Sequence, residues 1–294
     1  MEFIKLQADN SSAIINITGA EMSSFVANGI EYIWQGDPQI WSGHGPILFP
    51  IIGFIKDGKT RISGKEYEIT KHGFVRYASF EIVEKGINFV VLSYQANNET
   101  RKQYPFEFKL FVRYEINSSG FQTTFTIENN DEHDMPICLG GHPAFNCPIE
   151  KEASFTDYDV CFAEKEDGEN TLVNEKGLLS GKEILPSLRD FGKISLNHTY
   201  FDTKDTLLLT NLKSRSVKLI NRNTGCGINF DFDSFPVLAI WSKPNVNAPY
   251  VCLEPWLGLP DPAQGETAME DKEHAVIIKP KHSIKLSYQM QVLC

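Results

Sequence analysis

The run Phe106-Glu107-Phe108-Lys109-Leu110-Phe111-Val112-Arg113-Tyr114-Glu115-Ile116 places an apolar side chain at every even-numbered position. Asn117-Ser118-Ser119-Gly120 then supplies turn residues, and Phe121-Gln122-Thr123-Thr124-Phe125-Thr126-Ile127 returns with the same rhythm. A side-chain period of two is that of a strand with one buried face, and Asn, Ser and Gly close tight turns. The pattern predicts a long antiparallel hairpin over 106–127.

Outward from this hairpin the pattern recurs in shorter pieces. Residues 12–18 form a β-branched segment broken by Gly19, and 60–70 reads as a hairpin turning at Ser63-Gly64. Residues 80–84 and 88–94 make another pair around Lys85-Gly86, and 216–220, 227–232, 237–241 and 284–292 follow as strands. Helical patterns are confined to turns around 98–103 and 185–191. Strands this numerous and closely spaced predict an all-β chain, a large antiparallel sandwich or barrel with few short helices. No fixed-period repeat or low-complexity linker divides it, so a single domain over 1–294 is expected.

With 41% hydrophobic residues the chain can bury a large core, and its net charge of −10 with no Lys/Arg run argues against a nucleic-acid or anionic-membrane partner. Met1-Glu2-Phe3-Ile4-Lys5 lacks the basic and apolar regions of a secretory signal. The longest apolar stretch, 46–55, holds Gly53 and two prolines and is too short to span a bilayer. Cysteines 138, 147, 161, 226, 252 and 294 show neither a CxxC pair nor zinc-finger spacing. The expectation is a cytoplasmic protein with reduced thiols and no metal centre.

Three polar constellations lie at predicted turns. In Leu139-Gly140-Gly141-His142-Pro143-Ala144-Phe145-Asn146 the glycines admit unusual backbone angles, and Pro143 disfavours helix at His142. A histidine held at such a bend is suited to moving a proton near neutrality; a turn imidazole bonded to a buried carbonyl is the alternative. Lys71-His72-Gly73-Phe74-Val75-Arg76 follows the 60–70 hairpin. His72 is either a ligand contact or a backbone-bonded turn residue, and Arg76 a ligand contact or a surface ion pair. In the third, Tyr250 to Asp261, an apolar strand delivers Glu254, and Pro255 predicts that the strand cannot continue as a central ladder. Apolar neighbours would raise the Glu254 pKa towards that of a general base; a salt-bridged edge carboxylate is the alternative.

Together Pro46-Ile-Leu-Phe-Pro-Ile-Ile-Gly53, His72-Gly-Phe-Val-Arg76, Gly140-Gly-His-Pro-Ala-Phe-Asn146, Trp241 and Cys252-Leu-Glu-Pro-Trp256 resemble the aldose 1-epimerase (galactose mutarotase) superfamily. They are most similar to its branch of LacX-like and hexose-6-phosphate-mutarotase-like proteins. The resemblance implies a β-supersandwich with a sugar or sugar phosphate bound in a cleft. It implies Glu254 as the general base on the anomeric hydroxyl and His142 as the general acid at the ring oxygen, with His72 on the sugar's polar edge. Ring opening needs one proton removed and one supplied on a single hemiacetal, which these residue types provide without a cofactor. Asp205 matches a substrate-binding aspartate, although Asp202 is close enough to compete for the role. Arg76, Asn146 and Trp241 complete the implied contact set.

The resemblance has one departure. Many relatives carry arginine just after the glycine of the Pro-x-Leu-Phe-Pro segment, where this chain has Phe54. Either Phe54 stacks on a neutral sugar, or Lys56, Arg61 and Arg76 take over an anionic group. An aldohexose mutarotase, a hexose-6-phosphate mutarotase and a non-catalytic sugar binder therefore stay open. A glycoside hydrolase fits less well, because it needs paired carboxylates.

Overall fold

The computed structural model describes residues 2–265 and 267–294. The predicted hairpin forms from Phe108–Asn117 and Gly120–Asn129, in register from Phe108 opposite Asn129 to Asn117 opposite Gly120. Its even-numbered outward strand positions are buried in turn, as the alternation requires. Gly120 is needed for close approach: a Cβ there would lie 2.0 Å from the Met290 carbonyl oxygen. The C-terminal strand Ser283–Leu293 can thus pair with Gly120–Asn129 from Gly120 to Glu128. Gly227–Asp231 pairs with its other edge.

Those strands are the middle of a nine-stranded antiparallel sheet that runs from Lys193–Ser195 at one edge to Glu81–Lys85 at the other. An eight-stranded sheet packs against it. Its order is Leu179–Ile184, Glu169–Val173, Thr206–Leu209, Val237–Trp241, Tyr250–Leu257, Leu139–Gly141 and Ile47–Leu48, with Ala144–Asn146 also on Tyr250–Leu257. Between them lies one core cluster. It joins Leu110, Val112, Phe125, Ile127, Phe230 and Met290 of the larger sheet to Leu207, Leu209, Ile240, Val251, Leu253 and Leu257 of the smaller. Residues 3–31 add a four-stranded sheet, and Lys59–Ile62 and Lys65–Glu68 form the hairpin read at 60–70.

Period two is hidden in Tyr250–Leu257 because all eight residues are buried. Val251, Leu253 and Leu257 enter the inter-sheet core, whereas Tyr250, Cys252, Glu254 and Trp256 face the other way. Directly opposed residues share a face, so Trp241 opposite Cys252 and Ala239 opposite Glu254 belong to this outer face as well.

Several expectations are corrected. Pro255 does lie inside a central strand. Leu253 N–H donates to the Pro143 carbonyl, so Pro255, two residues on, presents its missing donor to the same edge. That edge is where the neighbouring strand breaks between Leu139–Gly141 and Ala144–Asn146. Gly140 and Gly141 are likewise strand residues without a positive φ. They are small because a Cβ would meet Trp256 Cδ1 at 2.8 Å and Tyr288 Cε1 at 2.7 Å.

Helices cover Asn98–Gln103 and Pro186–Phe191 as expected, and an unexpected third, His198–Lys204, is capped by Asn197. No helix among the described residues is long and apolar enough to cross a membrane. Not every thiol is reduced: Cys226 and Cys294 form a disulfide with Cα atoms 5.5 Å apart, because pairing of Gly227–Asp231 with Ser283–Leu293 brings them together. Cys138, Cys147, Cys161 and Cys252 are free.

Candidate active site

The outer face of the eight-stranded sheet forms the floor of a cavity of about 410 Å³. His142 sits in the break between the two short strands. The register that sets Ala144 opposite Cys252, continued by two residues, sets His142 opposite Glu254. Their side chains meet, His142 Nε2 lying 3.2 Å from Glu254 Oε1. His142 is 8% exposed and Glu254 1%. Neither His142 Nδ1 nor Glu254 Oε2 has a hydrogen-bond partner among the described residues. Both are left unsatisfied within the protein.

Burial works against both charges. It pushes His142 down to about 3, with Lys71 and Arg76 adding to the fall. It drives Glu254 well above the ordinary carboxylate range, against the opposing pull of Lys71 and of the Trp256 indole. Trp256 Nε1 itself makes no hydrogen bond of good geometry. The dry site thus favours a neutral imidazole beside a neutral carboxyl, a pair holding one proton between them.

His72 is fixed differently. Its φ is +63°, and its backbone N–H donates to the Gly53 carbonyl at 3.0 Å. Gly53 N–H returns a bond to His72 Nδ1 at 3.1 Å. An Nδ1 that accepts leaves the proton on Nε2, and burial holds the ring pKa well below its usual value. His72 is therefore a standing neutral donor, its ring 5.8 Å from that of His142. Gly73 must be glycine, since a Cβ would meet the Phe49 carbonyl oxygen at 1.9 Å.

Around this floor the cavity gathers Phe54, Arg76, Asp205 and Trp241, so seven of the eight residues read from the sequence converge. Asn146 does not. It stands opposite Tyr250, and its amide donates to the Glu31 carbonyl at 2.9 Å, tying the sheet to the N-terminal strands. Asp205 lines the cavity from the end of the third helix at φ +60°. Asp202 instead accepts from Asn245 N–H at 2.6 Å outside it. Lys56 and Arg61 line a separate depression, and Lys56 Nζ donates to the Gly265 carbonyl. Of the three cations considered for an anionic group, only Arg76 reaches the cavity.

Three wall residues were not picked out from the sequence. Trp41 stands over the site, 5.1 Å from the His142 ring and 5.4 Å from that of Trp241. Lys71 is an exposed residue overall, yet its ammonium lies 4.4 Å from the centre of the Phe54 ring. Burial of that end lowers its pKa against the attraction of Asp205 and Glu254. Lys243 Nζ donates to the Ile40 carbonyl at the rim. Trp41 packs edge-on against Trp241 in the wall, a contact that only the finished fold creates. A side-chain nitrogen of His142, Cys252 Sγ and a Glu254 carboxylate oxygen all lie within 4.8 Å of one another, making them the candidate metal ligands among the described residues.

The family model for aldose 1-epimerase matches residues 2–273. The plasmid-borne LacX protein of Lactococcus lactis subsp. lactis is 35% identical over 99% of both chains, and its chromosomal counterpart 34% identical over the same share. A galactose mutarotase-like protein from Lactobacillus casei superposes with a TM-score of 0.93 at 30% identity, covering 99% of this chain and 100% of its own. A galactose mutarotase related enzyme from Lactobacillus acidophilus gives 0.92 at 26% identity, covering 100% and 98%.

Proposed function

The chain belongs to the aldose 1-epimerase family, and from that premise we propose that it interconverts the α and β anomers of an aldohexose through ring opening by His142 and Glu254. The observation that carries this reading is the 3.2 Å contact between the two side chains at the floor of the cavity. The volume falls in the range of about 300–1,000 Å³ usual for small-molecule sites.

In the productive state Glu254 is the carboxylate and His142 the imidazolium, a tautomer with the same single proton as the neutral pair. Glu254 takes the proton of the anomeric hydroxyl while His142 Nε2–H protonates the ring oxygen. The C1–O5 bond breaks and the aldehyde forms. The dyad is then a carboxylic acid beside a neutral imidazole, the form that burial favours. Desolvation therefore stabilises the open-chain state relative to the closed one. Rotation about C1–C2 presents the other face of the aldehyde. His142 takes back the O5 proton, Glu254 returns its own to O1, and the ring closes as the other anomer. His72 Nε2–H donates to the sugar throughout, Asp205 accepts from its hydroxyls, and Trp41 and Trp241 cover its apolar faces.

A hexose phosphate is the second reading. Lys71 and Arg76 both line the cavity and bring two cationic side chains to its wall. Phe54 carries the Lys71 ammonium on its ring, which leaves that face less free to stack on a sugar.

The test is anomer exchange by NMR with glucose, galactose and their 6-phosphates. Wild type should accelerate exchange of at least one, and Glu254→Gln should lose about 10²–10⁴-fold of that acceleration. Sugar-induced shifts without accelerated exchange would replace the enzyme reading with that of a sugar binder.

A further inference from the structure

We propose that the cavity floor is also a binding site for a thiophilic divalent cation of the zinc type, held by His142, Cys252 and Glu254, and that cation and sugar exclude one another there. The exclusion rests on the function proposed above; the cation site rests on geometry alone.

The sheet builds the ligand set rigidly. Cys252 and Glu254 are two residues apart on one strand and share its outer face, and His142 stands across from Glu254 in the break of the next strand. All three side chains are at least nine-tenths buried. Zinc bonds of about 2.0–2.3 Å place tetrahedral ligand atoms roughly 3.3–3.8 Å apart. The His142–Glu254 separation of 3.2 Å is close to this already, and no ligand pair is more than 4.8 Å apart.

A further observation points to a cation. Glu254 Oε2 is a buried acceptor with no donor, and it belongs to the same carboxylate whose other oxygen faces His142 Nε2. Such an atom is rare in folded proteins unless something else satisfies it. The charges also balance: a divalent cation with one thiolate, one carboxylate and a neutral imidazole gives a neutral buried centre. A thiolate and an imidazole favour zinc-type ions over magnesium or calcium. Three protein ligands leave a fourth position facing the cavity, where a sugar hydroxyl would otherwise sit. Lys71 and Arg76 on the wall repel the cation, so its affinity should fall below that of a closed four-ligand site.

Binding is a ligand exchange without redox change. Metal–sulfur, metal–nitrogen and metal–oxygen bonds form, the Cys252 S–H bond breaks, and the thiol proton and the dyad's shared proton pass to solvent.

The experiment titrates the zinc-free protein with Co²⁺ and follows thiolate-to-cobalt absorption in the near ultraviolet. One equivalent should give the band, and Zn²⁺ should bleach it. Cys252→Ser should abolish it and weaken Co²⁺ binding at least about tenfold, and Cys252→Ala serves if that variant does not fold. Adding a sugar that exchanges should raise the Co²⁺ concentration needed. No band in wild type, or a band that persists in both Cys252 variants through Cys138, Cys147 or Cys161, overturns the proposal. Because the absorption needs no turnover, a band in a protein that exchanges no anomers sinks the mutarotase reading alone. Exchange without a band sinks the cation site alone.

Discussion

The two faces of the strand Tyr250–Leu257 are equally buried and chemically opposite. Val251, Leu253 and Leu257 point into the core between the sheets, where packing is all they contribute. Glu254, one residue out of phase, lines the cavity beside Trp241 and His142, and Cys252 shares that face beneath them. Exposure alone would file all of them as core. What separates them is whether polar atoms are satisfied: the inner face has none to satisfy, and the outer face leaves Glu254 Oε2 and His142 Nδ1 without partners. The lesson is that a site can be recognised by unpaired chemistry inside a dry wall as well as by a hole in the surface.

That contrast can be broken from either side. The largest stability effect should come from the inner face: Leu253→Ala should cost about 2–5 kcal/mol in chemical denaturation, as large-to-small core changes do. Anomer exchange per folded molecule should meanwhile stay within about tenfold. A loss of exchange with stability intact would show that the faces are not independent.

Arg76→Ala, on the cavity wall, separates the two substrate readings. A sugar phosphate held there should lose roughly 10–100-fold in affinity, the range of a charged hydrogen bond. A free hexose should change by about threefold or less. Titration of wild type and variant with both sugars decides between them.

The smallest effect is a gain. The folded pKa of Glu254 lies above its unfolded value, so the folded state holds a proton that the unfolded chain releases. Its contribution to stability is present below the unfolded carboxylate pKa and is lost as pH rises towards the raised value. His142 has the opposite slope. Its folded pKa of about 3 lies below the ordinary 6.5, so stability falls as pH drops through that window. Glu254→Gln removes the first penalty and should raise stability at neutral pH by about 0.5–2 kcal/mol, read as a shift in denaturation midpoint. A destabilised variant would mean that the carboxylate is not held at a cost.

Much of this was legible in the chain. The 106–127 hairpin was readable because one face meets water or a polar neighbour and the other the core, which leaves alternation in the sequence. The cavity residues were readable because His72, His142 and Glu254 each sit beside Gly or Pro, which mark where the backbone departs from a regular ladder. Pro255 misled for the same reason: whether a central strand tolerates proline depends on a break in its neighbour 110 or so residues away in sequence, between Gly141 and Ala144. Asn146 was drawn to the site by adjacency, but its amide is spent on Glu31, a partner that no local pattern reveals. Trp41 and Lys71 come from loops whose register is set only by the finished fold. The Cys226–Cys294 link is equally non-local, since 68 residues separate its ends.

The strand Ser283–Leu293 has a consequence for synthesis. It lies between Gly120–Asn129 and Gly227–Asp231, so neither of those strands has its second neighbour until residue 293 has left the ribosome. Everything translated earlier carries two open hydrogen-bonding edges at the centre of its largest sheet. Folding of that sheet must wait for the nascent chain to reach this point.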